Sequence, residues 1–277
     1  MIGDRIEVNI AGGLDVDLPR MTRVRQKFPT PSIADIAGTV TGQFLDPAIR
    51  DRVKPGMRIA VGCGSRGIAN VAECVAAVIG QLKTLGAEPF IFPAMGSHGA
   101  ASAEGQVKVL DSLGISAATM GCPIHSSMDV VELGRLDNDM PVYMDRHAAE
   151  ADAVVLVCRV KAHTNFRGPI ESGIIKMLVI GMGKIAGATA THWHGFDSFA
   201  ELLPKAGEFI LAKKNILFGV AMVENAAEET ALVEIVPAER VLEREPELLA
   251  MSKELMPRLQ FDEIDVLIVD QMGNNIT

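Results

Sequence analysis

The sequence predicts an α/β protein with a mostly parallel, Rossmann-like sheet flanked by helices, followed by the start of a second α/β domain. Three observations carry this. Residues 54–99 read as strand, Gly-rich turn, amphipathic helix and second strand, a βαβ unit. Ala153-Val154-Val155-Leu156-Val157 is apolar at every position, as a parallel strand covered on both faces must be. A run of similar kind, Ile264-Asp265-Val266-Leu267-Ile268-Val269-Asp270, comes near the end with no helix after it to cover it.

In chain order, residues 6–10 alternate and read as a strand, and the stretch to about residue 45 mixes Pro, Thr and Gly as a wrapping arm would. The βαβ unit places strands at 58–61 and 89–92 and a helix at 69–85. A helix over 103–113 and short strands over 130–133 and 142–144 precede the central strand. Residues 173–180 are helical in period, and 199–212 form an amphipathic helix. Residues 216–223 and 231–236 flank a polar turn as a hairpin does, and Pro237 opens a helix of about two dozen residues. The expected organisation is an N-terminal cofactor-binding domain over 1–258 and, over 259–277, the first strand of a truncated C-terminal domain.

Of 277 residues, 48% are hydrophobic, enough for one large core or for one domain and part of another. A net charge of −9 argues against binding to a phosphate backbone, so nucleic acid is not expected as a partner. The charged N-terminus lacks the apolar stretch of a secretory signal and no run approaches a membrane span, which points to a cytoplasmic protein with no membrane partner. The cysteines, Cys63, Cys74, Cys122 and Cys158, form no CxxC pair, which argues against a disulfide framework or a structural zinc site. With one Trp and one Tyr, aromatic stacking is not expected to organise a site, Trp193 between two histidines being the exception.

Gly62-Cys63-Gly64-Ser65-Arg66-Gly67 follows a strand and opens a helix, the context of a dinucleotide fingerprint. The acidic residue that would hold a ribose at the end of the next strand is missing, since that strand runs through Phe92 and Pro93 into Ala94. What remains is a loop of N–H groups beside Arg66, suited to a phosphate or carboxylate, with a plain tight turn as the alternative. Gly96-Ser97-His98-Gly99 follows the second strand and Arg159-Val160-Lys161-Ala162-His163 the central one, so Arg66, His98 and His163 should share the crevice at the strands' carboxyl ends. Two histidines facing each other across a small substrate suit proton transfer near neutral pH. Lys176 sits in an apolar helical stretch, where an ammonium is costly unless paired, used, or snorkelled to the surface. Gly181-Met182-Gly183-Lys184 reads as a flexible breaker, and His192-Trp193-His194 as either metal-binding nitrogens or a surface loop.

Taken in order, SR at 65–66, GSH at 96–98, KAH at 161–163, SGIIK at 172–176 and a histidine sixteen residues beyond that lysine resemble the lactate racemase family that depends on a nickel-pincer nucleotide. The resemblance runs from about Lys54 to His192. It implies that Ser65 and Arg66, with Gly64 in the same loop, bind the anionic end of substrate or cofactor. It implies His98 and His163 as alternating acid and base, the cofactor attached covalently at Lys176, and His192 completing nickel coordination, with His194 as its rival. The implied activity is racemisation or epimerisation of a small 2-hydroxy acid, in a protein that a homo-oligomer would also suit. Cys63 stands where the family has an acidic residue, and Gly99 where the lactate enzymes have a bulkier basic one, so lactate itself is not expected as substrate. Two other readings fit the residues: an anion-binding protein of the same fold without chemistry, and a zinc hydrolase using His192 and His194.

Overall fold

Five strands form the main sheet. They are β1 (Arg58–Cys63), β2 (Glu88–Pro93), β5 (Ala153–Arg159), β6 (Ile216–Glu224) and β7 (Thr230–Pro237), in the order β2-β1-β5-β6-β7. The first four run parallel and β7 returns antiparallel beside β6, with Val61 opposite both Ile91 and Val155. The protein is therefore α/β with a mostly parallel, helix-flanked sheet. β3 (Val130–Arg135) and β4 (Pro141–Asp145) pair separately as an antiparallel ribbon. These features come from a computed structural model that describes residues 20 and 22–271. The strand expected at residues 6–10 lies outside them. The described residues fall into two units, Phe28–Arg258 and a smaller one to which Leu259 and the residues after it belong.

The period of two along each strand sorts its side chains onto two faces. On β5, Val154, Leu156 and Cys158 enter one core while Ala153, Val155 and Val157 enter the other. Ala60 opposes Ile59 and Val61 on β1 in the same way. Each fully buried Val, Leu or Ile contributes about 1.5–3 kcal/mol, so the central strand is held from both sides.

The second core is closed by α1 (Ile36–Gln43) and α3 (Val71–Thr84), with the short α2 (Pro47–Arg50) and α5 (Ala117–Met120) and with α4 (Ala103–Ser112) at its edge. α3 buries Cys74, Val75, Val78, Ile79 and Leu82, one stripe at helical spacing. α1 lies within the stretch expected as a wrapping arm; it forms because the Asp35 carboxylate caps the Gly38 N–H at 2.7 Å while Ile36 and Val40 are buried. The first core is closed by α7 (Ile174–Lys176), α8 (Lys184–His192), α9 (Phe199–Lys213) and α10 (Val241–Leu255), with α6 (Arg146–Ala149) after β4. α7 runs on into a π-helical turn, Met177–Gly181. α10 is shorter than expected because Met256 is extended ahead of Pro257, which disfavours helix in the residue before it.

No single described helix is long and apolar enough to cross a membrane. The strand expected over residues 264–270 is not formed. It finds no ladder partner among the described residues, and Val266 and Ile268 are 77% and 89% exposed.

Candidate active site

The chain passes from β1 to β2 on one side and later to β5 on the other, so the sheet changes direction between β1 and β5. Loops leaving the carboxyl ends of those strands diverge there and leave a crevice, the usual ligand position in open α/β sheets. Ser65 and Arg66 follow β1, His98 follows β2, and His163 follows β5. Lys176 enters from α7, brought close because Gly64 lets the β1 loop rest on Met177: a Cβ there would lie 3.0 Å from its Cε.

His98 is fixed by a short hydrogen bond between its Nδ1 and the Ser65 hydroxyl. Burial, then the charges of Arg66 and Lys176, hold its pKa below the ordinary histidine value. His163 has its backbone N–H donated to Glu171 Oε2 at 2.7 Å, while its ring Nδ1 accepts the Asn165 N–H at 3.1 Å, which leaves the ring proton on Nε2. Burial and Lys176 lower its pKa to about 4, helped by His192 and Lys161 and opposed by Glu171. The ring is therefore a neutral imidazole near pH 7.

Lys176 makes no ion pair with a described carboxylate, and burial, Arg66 and Lys161 together bring its pKa down to about 8. It is a half-buried amine in a cationic group rather than a lysine reaching for solvent. His192 is placed differently. Its Nδ1 lies 2.6 Å from the Ala188 carbonyl oxygen, which can only accept, so Nδ1 carries a proton and Nε2 is the ring nitrogen left to meet a ligand. Phe196 and Phe199 pack edge-on against this ring at 5.5 and 5.2 Å, and Phe166 lies 4.5 Å from the ring of His163. His192, Trp193 and His194 are all exposed, Trp193 by 87%, and of the two histidines it is His192 that packs against the phenylalanine rings. A cleft of about 510 Å³ opens beside this wall, lined by Thr164, Asn165, Phe166, Arg167, Phe196 and Asp197.

Several site-building residues were not legible as such. Three phenylalanines hold two of the site histidines, although aromatics are scarce; only the Phe196/Phe199 spacing of a helical turn signals it. Glu171 is buried and ties the His163 loop to α10 through Lys253 at 2.7 Å. Burial alone would raise its pKa, but Lys253 and the N–H groups of His163 and Gly168 hold it below the ordinary value. Glu245 lies fully buried under α7, its Oε2 accepting the Ile175 N–H at 3.0 Å, and burial pushes its carboxyl up to about 8. Lys184, read as part of a flexible breaker, is completely buried. Cys63, where an acid was expected, is a buried thiol raised far above its ordinary pKa and supplies no negative charge to the loop.

Fold and site together define a doubly wound α/β protein with a cationic, histidine-bearing crevice at its topological switch point. The lactate racemase N-terminal domain model matches residues 44–201, more than half of the chain, and the protein belongs to that family. Among solved structures, the lactate racemase apoprotein from Thermoanaerobacterium thermosaccharolyticum superimposes with a TM-score of 0.64 at 15% identity, over 84% of this chain and 58% of that one. At that identity the likeness shows the fold, and this chain spans little more than half the length of that protein. No curated protein matches.

Proposed function

We propose that this chain provides the acid–base and cofactor-holding half of a racemase or epimerase of small 2-hydroxy acids, served by a nickel-pincer nucleotide on Lys176. The observation that carries the reading is the pairing of a half-buried Lys176, at a pKa of about 8 and without a carboxylate partner among the described residues, with a His192 anchored through Nδ1. An amine with that pKa has an appreciable neutral fraction near pH 7 and can be acylated, and acylation would remove a charge that the site does not compensate. A single pre-oriented imidazole is what a metal needs when its other ligands come with the cofactor. When bound, the nickel group would supply the acceptor and donor of hydride at the α-carbon.

The chain's own residues would do the rest. Arg66, the Ser65 hydroxyl and the N–H groups from Gly64 onward would hold the substrate carboxylate, a charge-assisted contact at the end of β1. His98 and His163 leave the carboxyl ends of different strands, and the two enantiomers present their hydroxyl to opposite sides. One histidine would take the hydroxyl proton of one enantiomer and the other would return a proton for its mirror image. The lowered pKa of both rings keeps a neutral imidazole available to take the hydroxyl proton of either enantiomer, and the ring that returns a proton would first draw it from solvent. The Phe166–Phe196 cleft beside His163 has room for a substrate tail larger than a methyl group.

A zinc hydrolase at His192 and His194 finds less support. Among the described residues no three His, Cys, Asp or Glu side chains come together, whereas a catalytic zinc takes three protein ligands. We also infer that residues 259–271 belong to a second domain, which the exposed apolar side chains of Val266 to Val269 support. The function is tested by producing the protein with the enzymes that build the cofactor and offering it single enantiomers of 2-hydroxy acids carrying deuterium on the α-carbon. The expected result is the opposite enantiomer with deuterium retained. Racemisation with the label lost to solvent would overturn the hydride reading; ligand binding with no turnover across the panel would leave an anion-binding protein.

A further inference from the structure

Lys184 combines three unfavourable features. It is fully buried, it carries an amine, and its backbone has φ of 53°, a left-handed conformation that costs a non-glycine residue about 1 kcal/mol or more. The other described non-glycine residues with positive φ are at least partly exposed, so Lys184 stands alone among them. It opens α8 three residues after the end of the π-helical turn that follows Lys176, and such turns gather at functional sites.

The partners of Lys184 explain how the fold accommodates it. Its Nζ donates to the Pro93 carbonyl at 2.5 Å and to Gln106 Oε1 at 2.9 Å, and it lies 3.1 Å from the buried Asp145 Oδ2. Two of these contacts are hydrogen bonds and the third is an ion pair, and the partners come from the end of β2, from α4 and from the end of β4. Gln106, also completely buried, passes the constraint on: its Nε2 donates to the carbonyl of Gly96 at 2.9 Å and to that of His98 at 3.3 Å. The same loop is sewn to the Lys176 segment from the other side. The Gly96 N–H donates to Gly181 O at 3.0 Å, and a Cβ on Gly181 would lie 2.6 Å from the Ala94 carbonyl oxygen.

We propose that Lys184, acting through Gln106, is a positioning residue that fixes the His98 loop against the helix carrying Lys176. A buried ion pair is a poor source of stability compared with well-packed apolar side chains of similar volume. What it offers here is direction: two amide hydrogen bonds reach the carbonyls on either side of Ser97 and set the angle at which the His98 ring leaves the loop. The importance of that angle rests on reading His98 as an acid–base group, but the angle itself can be measured without cofactor or substrate.

The decisive variant is Gln106→Met, which keeps volume and helix propensity, leaves Lys184 its contacts with Pro93 and Asp145, and cuts both links to the loop. Two readouts are taken on the folded apoprotein: amide hydrogen exchange at His98 and Ala101, and titration of the His98 ring by NMR. Exchange at these amides should accelerate at least tenfold while that of Val154 to Val157 in β5 is unchanged. The titration midpoint, held below 6.5 by burial and by Arg66 and Lys176, should move up toward 6.5 as the ring leaves Ser65. Lys184→Met should do the same; should it fail to fold, Gln106→Met decides alone. A folded Gln106→Met protein in which either readout stays at its wild-type value overturns the proposal, and so does exchange that accelerates equally in β5. Absence of racemase activity would leave this result untouched, so the two readings fail separately.

Discussion

Replacing Lys176 by Met should make the apoprotein more stable at neutral pH. Lys176 is held at a pKa of about 8 against 10.5 in the unfolded chain, because folding buries it beside Arg66 and Lys161. At about 1.4 kcal/mol per pH unit this is a cost of roughly 3 kcal/mol, discounted to about 2 kcal/mol for the solvent contact the side chain keeps. The sign follows from proton uptake. Between pH 8 and 10.5 the unfolded chain holds the proton and the folded one does not, so wild-type stability rises with pH across this window. The cost is fully present below pH 8 and gone above 10.5. Lys176→Met, of similar length and without charge, should therefore gain about 2 kcal/mol at pH 7, a shift of roughly 0.7 M in urea midpoint, and lose this advantage by pH 10.5. Urea denaturation of both proteins at the two pH values measures it. A variant no more stable than wild type at pH 7, or one whose advantage is the same at pH 10.5, would refute the view of Lys176 as an uncompensated buried charge.

Glu245 obeys the opposite rule. Its carboxyl is raised from 4.5 to about 8, so the folded state keeps a proton the unfolded state has lost and stability falls as pH rises from 4.5 to 8. Glu245→Gln, which mimics the protonated acid, should match wild type at pH 4.5 and exceed it by about 3 kcal/mol at pH 7 in the same denaturation assay. Gly219→Ala on β6 would set a Cβ 2.5 Å from Ile174 Cδ1 at the start of α7; it should cost about 1–3 kcal/mol, read as a lowered urea midpoint.

Strands β1, β2 and β5 could be read from the sequence because their apolar runs reflect burial on both faces, and the hairpin of β6 and β7 because its turn is polar and local. The placement of Arg66, His98 and His163 at one edge also followed, since parallel neighbours present their carboxyl ends together. Lys184 escaped because its partners Pro93, Gln106 and Asp145 are far away in the chain, and a lysine after two glycines looks solvent-bound. Glu245 escaped for the same reason, being a glutamate in a charged helix that only tertiary packing places under Ile175. The bond from His192 to Ala188 spans one helical turn, but its meaning depends on the Phe196 and Phe199 rings that turn the imidazole. The run over residues 264–270 shows the converse limit: apolar pattern marks a segment that wants to be covered, and says nothing of where its ladder partner lies.

The central claim is that Lys176 holds a nickel-bearing group, and intact mass with metal analysis on one sample tests it most directly. Protein made together with the cofactor-building enzymes should show a mass increase that peptide mapping assigns to Lys176, with about one nickel per chain; Lys176→Arg, which keeps the charge and cannot form the same linkage, should show neither. Wild-type protein with unmodified mass and no nickel under those conditions would contradict the account.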